Sequence, residues 1–220
     1  MKSQNHLSVS QLLQRLSADV VVCPSADECT LLLAHIRDAE QGPEISDDTR
    51  NIALRLCKQD NANCQAAGML LLKEMGKRGD LYAKLIQAKL HWAEGPYKNH
   101  SHALRLANEL MKSDWKEWPY QERARVALGD LFRLKGLLLW RGEKIKPNPS
   151  EALNHFKFAS DKYLDGFSAW IAAQFHAKDS HIVFAHLAKP NTAAYDFYMA
   201  RAKELGYVSA SKSDESGEQA

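Results

Sequence analysis

The chain lacks any apolar run near the roughly 20 residues that cross a bilayer. Its densest patch is the short stretch Leu137-Leu138-Leu139-Trp140. The opening Met1-Lys2-Ser3-Gln4-Asn5-His6 leads into an amphipathic segment, not a continuous apolar core, so no secretory leader is visible. A cytoplasmic address is expected, or a periplasmic one if a leader has been cut away. β-Branched runs are scarce: Val20-Val21-Val22 stands alone and ends at Cys23-Pro24, which argues against sheet. Charge of one sign is not in excess, with 29 Lys and Arg against 27 Asp and Glu. That balance gives no footprint for nucleic acid or a membrane surface. Catalytic signatures are missing too: there is no G-x-S-x-G, no phosphate-binding glycine loop, no G-x-G-x-x-G and no H-E-x-x-H. No catalytic residue, metal ligand or cofactor is therefore assigned.

What is present is an ordinary globular composition, 45% hydrophobic and 25% charged over 220 residues, enough for a sizeable core. All seven prolines fall at expected helix boundaries, which leaves long helical stretches uninterrupted. Helices are expected over 8–18, 25–41, 46–59, from Asn61 to Arg78-Gly79, 81–94, 101–112, 119–142, 149–163, 166–177 and 192–205. A short one is expected over 180–188. Ser25, Ser46, Asp80 and Ser101 are the expected caps. The tail from Ser209 has no apolar anchor and is expected to be disordered. All four cysteines, Cys23, Cys29, Cys57 and Cys64, lie early, and neither close pair has zinc-knuckle spacing. Free thiols are expected. Cys57 and Cys64 flank a helix–helix turn that would bring them near each other.

A spacing recurs in the second half. Ala152, Phe156 and Ala159 precede Gly166, and Ala193, Phe197 and Ala200 precede Gly206; Ala103, Ala107 and Leu110 make a weaker copy. A small residue, an apolar one four on and a small one three further mark a helix face that another helix approaches closely. Recurrence near 40 residues predicts an all-α fold: a right-handed α-solenoid of stacked helical hairpins with a divergent N-terminal helical region. The expected organisation is a helical region over 1–65, repeats over 66–207 and a tail over 208–220.

Ala127-Leu128-Gly129-Asp130-Leu131-Phe132 followed by Gly136 resembles the first helix of a Sel-one-like repeat, a subclass of the tetratricopeptide-type solenoid. Ala152, Phe156 and Ala159 match that family's second helix, Gly166 its turn glycine, and residues 77–83 its inter-repeat junction. Gly136 comes one residue late, and residues 137–141 lengthen the helix. The resemblance implies a cofactor-free adaptor or regulator that binds other proteins, often in bacterial envelope, secretion or signalling systems, with first helices lining a concave face.

On that reading the partner is a protein or peptide, and Lys84, Gln87, His91, Arg123, Asp130, Arg133 and Gln174, with Lys178, are the concave-face candidates. Lys84, His91, Arg123 and Arg133 would form a basic lining suited to an acidic segment. Replacing Arg123 and Arg133 by Glu would then abolish binding and spare the fold. Trp115 and Trp118, in a connection between helices, are the next candidates as partner anchors. Two rivals belong to other classes: an inhibitor or immunity-type protein that plugs a toxin, and an enzyme with a site assembled from scattered His, Asp and Glu.

Overall fold

A computed structural model describes residues 8–18, 22–38, 47–115, 121–180 and 189–207. These residues form ten helices and no strand. The chain divides into two compact units between Pro119 and Tyr120. The expected boundary between residues 65 and 66 instead falls inside a continuous helix.

The first unit holds α1 (Val9–Ser17), α2 (Ala26–Asp38), α3 (Asp47–Cys57), α4 (Ala62–Lys77), α5 (Leu81–Trp92) and α6 (His100–Leu110). Helix α4 packs on α2, α3 and α5, and α6 packs on α5. Leu12, Leu16, Leu32, Ile36, Ile52, Leu56, Leu72 and Met75 make its core. Gly68 shows how tightly α3 and α4 meet: a Cβ there would lie 2.5 Å from the Ala53 carbonyl oxygen, so no larger residue fits. Arg55 donates to the carbonyls of Ser17 and Ala18 and so ties the end of α1 to α3.

The second unit holds α7 (Gln121–Arg141), α8 (Pro149–Tyr163), α9 (Gly166–Gln174) and α10 (Thr192–Glu204). Each packs on the next in sequence. Phe156, fully buried, anchors the core with Trp140, Ala152, Ile171 and Phe175. Gly136 lets the Phe156 ring lie against α7, since a Cβ there would come within 2.8 Å of it.

Local chemistry explains the boundaries. Ser8 and Gln11, and again Ser25 and Glu28, exchange side-chain and backbone hydrogen bonds as capping boxes. Asn61, Asp80, Asn148, Asp165 and Asn191 cap α4, α5, α8, α9 and α10. Helix α6 starts earlier than expected: the cap is Asn99, not Ser101, because the Asn99 amide oxygen accepts from the His102 N–H at 3.0 Å. Ser46, residues 119–120, the short helix expected over 180–188 and the tail from Ser209 lie wholly or largely outside the described residues.

The repeated spacing holds on α6 and α8 and fails on α10. Ala103, Ala107 and Leu110, like Ala152, Phe156 and Ala159, are buried. Ala193 and Ala200 are exposed, and Phe197 is 59% exposed. The cause is register from the cap. On α6 and α8 the buried triplet stands four, eight and eleven residues after the capping Asn99 or Asn148. The same offsets from Asn191 are Tyr195, Met199 and Ala202, and those residues face the core.

Candidate functional site

Two ion-paired joints dominate the polar architecture, one in each unit, and they are alike. In the first, Arg50 of α3 donates to Asp47 at 2.5 Å and to Asp80 at 2.6 Å. Its guanidinium lies 5.5 Å from the Tyr82 ring centre. Asp80 also accepts from the Ala83 N–H at 2.9 Å and so caps α5. In the second, Arg133 of α7 donates to Asp130 and, at 2.5 Å, to Asp165. It lies 5.9 Å from the Phe167 ring centre, and Asp165 accepts from the Ser168 N–H at 2.7 Å to cap α9. The pattern is the same both times: Asp and Arg three apart on one helix, and a capping Asp two residues before an aromatic. The joints differ in burial. Arg50 and Asp80 side chains are 6% and 0% exposed, against 28% and 10% for Arg133 and Asp165. Burial pushes the Asp80 carboxyl above its ordinary value, against the pull of Arg50 and of the Ala83 and Tyr82 amides.

This geometry reassigns several residues expected to line a binding face. Asp130 and Arg133 are parts of a structural joint, so Arg133→Glu would set three carboxylates together and threaten the fold it was expected to spare. Gln87 is buried and donates to the Leu72 carbonyl at 2.8 Å, riveting α5 to α4. Lys84 is half-buried, with its Cγ against Gly76. Trp115 is buried: its indole N–H donates to the Leu110 carbonyl at 2.9 Å, and its ring meets Tyr82 edge-on at 5.8 Å. It seals the first unit and is not an exposed anchor. Trp118 lies outside the described residues. Arg123 and Lys178 are exposed, and Gln174, half-buried, accepts from the Ser180 hydroxyl at 3.2 Å.

His91 belongs to a local cluster. Its Nδ1 lies 2.6 Å from the Tyr97 carbonyl, and its ring meets His102 edge-on at 4.5 Å. Burial lowers both imidazole pKa values, and Lys73 and Arg105 lower them further. Among the described residues no group of three His, Cys, Asp or Glu is placed to hold a metal ion. All four cysteines are free. The Cys57 thiol points at the Gln65 carbonyl, 3.9 Å away, and burial pushes its pKa up to about 12. Cys64 instead has Cys23 and Cys29 as neighbours, and burial, with these thiols beside it, pushes its pKa up to about 11.

Sequence reasoning missed the apolar surface of the second unit. Phe132 of α7 stacks with Phe158 and Tyr163 of α8 at 4.6 and 5.5 Å. Phe158 remains 41% exposed; elsewhere on the surface of the same two elements, Val126 of α7 and Leu164 at the end of α8 are 54% and 45% exposed. Arg125 brings the ends of the two helices together by donating to the Tyr163 carbonyl at 3.0 Å. The signal in the sequence was Phe132 on α7 together with Phe158, an aromatic two residues past the core-facing Phe156 and so on the outward face of α8. Comparison with protein-family models, curated proteins and solved structures finds no match to this chain. No helix among the described residues is long and apolar enough to cross a membrane.

Proposed function

We propose that this chain is a noncovalent protein-binding scaffold of the helical-repeat kind, a right-handed solenoid of hairpins similar to Sel-one-like proteins. Support for repetition comes from the two alike joints, Asp47–Arg50–Asp80 and Asp130–Arg133–Asp165, and from the packing of successive helices within each unit. The observation that carries binding is the aromatic surface of α7 and α8. Phe158 leaves apolar area in water against a stacked Phe132–Tyr163 base, and Val126 and Leu164 add exposed apolar area on the same two elements. Burial of such area drives association, and aromatic anchors dominate interface energies. The partner is a protein that presents an apolar stretch to this face.

The test uses the wild-type chain to capture a partner from its host, followed by identification of that partner and titration of the purified pair. Phe158→Asp and Val126→Asp should each weaken that purified complex at least tenfold while the helical circular-dichroism signal stays intact. Undiminished affinity in both variants would remove α7 and α8 as the binding face.

A further inference from the structure

The outward stripe of α10 is built to pair with itself, and we propose that it forms an antiparallel twofold interface between two copies of this chain. Ala193, Phe197, Ala200 and Glu204 follow each other at steps of four, three and four residues, all exposed, opposite the core-facing Tyr195, Tyr198 and Ala202. That spacing is a three-turn seam for a second helix. At 1.5 Å per residue it runs about 16 Å. Beside it, an open depression of about 610 Å³ is lined by Asp161 of α8 with Phe197, Ala200, Arg201 and Glu204.

In an antiparallel pair centred between Tyr198 and Met199, each residue of the seam meets the one whose number completes the same sum. Phe197 of one copy then seats over Ala200 of the other, a large ring against a small residue, and this happens twice. Ala193 faces Glu204. Asp196 and Lys203 lie on the same flank of the stripe, both exposed, and the twofold sets each against its opposite charge on the other copy. A seam complementary in shape and in sign to its own reverse is the mark of an isologous contact. Within its own chain the ring meets Tyr198 edge-on at 5.0 Å and still leaves more than half of Phe197 in water. Six residues after its capping Asn, α10 carries Phe197; at the same offset from Asn99, α6 carries an exposed Arg105 paired with Glu109.

Sedimentation equilibrium of the full chain over a wide concentration range reads the association. The mass should rise from 24.8 kDa toward twice that value. Phe197→Asp should weaken dimerisation at least tenfold with the circular-dichroism spectrum unchanged. Lys203→Asp should weaken it, and Asp196→Lys added to Lys203→Asp should restore it. A zero-length carbodiimide should join Asp196 to Lys203 between chains, because seven residues of helix hold them about 10 Å apart within one chain, beyond its reach. A monomer at every concentration overturns the proposal, including the case in which a different protein proves to occupy the stripe. So does a dimer indifferent to Phe197→Asp.

Discussion

Replacing Arg50 with Met leaves a similar hydrocarbon stem in place and removes the cation that Asp80 faces. Asp80 is fully buried, so water cannot replace the lost partner. Removing one member of a buried pair costs about 3–5 kcal/mol. Arg133→Met breaks the same arrangement where both side chains retain some solvent contact, and the loss should be smaller, about 1.5–3 kcal/mol, the range for a hydrogen bond to a charged group. Urea unfolding followed by circular dichroism measures both. Acid separates electrostatics from packing. Burial already holds the Asp80 pKa above its ordinary value, and without Arg50 it climbs further. Between the unfolded and the raised folded value, the folded chain binds more protons than the unfolded one, so stability rises as pH falls through that window. The deficit of Arg50→Met should therefore shrink from pH 8 toward pH 4, whereas a deficit from lost packing would not. Equal losses in the two variants, or a deficit that is flat or grows on acidification, would refute the reasoning.

Ala159→Leu should cost about 1–3 kcal/mol by overpacking a fully buried site, while Ala200→Leu, at an exposed position, should change the unfolding free energy of the monomer by less than about 0.5 kcal/mol; chemical denaturation compares them. Gly136→Ala pushes a methyl into the buried Phe156 ring and should destabilise by about 1–3 kcal/mol, read as a lower urea midpoint. All four thiols should react with a disulfide reagent in denaturant without reductant, and in the native chain Cys57 should be slowest because burial suppresses its thiolate. The lowered pKa values of His91 and His102 mean that the unfolded chain binds more protons just below the ordinary imidazole pKa. Stability should fall as pH drops from 7 through that window, and His91→Gln with His102→Gln should flatten the thermal-melt pH profile.

Helix positions were legible because their signals are local. Asp80 and Ser25 sit where a cap must sit, and Pro149 opens α8 in the residue where it was expected. The α10 face was misread because Ala193-Phe197-Ala200 copies the spacing of Ala152-Phe156-Ala159. Spacing sets which residues share a face; the distance from the capping Asn sets which face turns inward. The joints were harder to see. Arg50 and Asp80 are 30 residues apart, and Arg133 and Asp165 are 32 apart, so no local pattern links a cation to its acceptor. Arg133 therefore read as part of a basic lining on a concave face. Trp115 read as an anchor in a connection because its partners, the Leu110 carbonyl and the Tyr82 ring, are visible only in the folded chain.

The capping aspartates have a consequence for the order in which the chain takes shape during synthesis. Asp80 and Asp165 each start one helix while gripping an arginine from the first helix of the preceding hairpin. A hairpin emerging from the ribosome can pack its two helices against each other and pair its arginine with the aspartate three residues earlier, yet the second carboxylate arrives only when the first turn of the next helix has also emerged. Each joint can thus close on its hairpin only once the successor helix has begun.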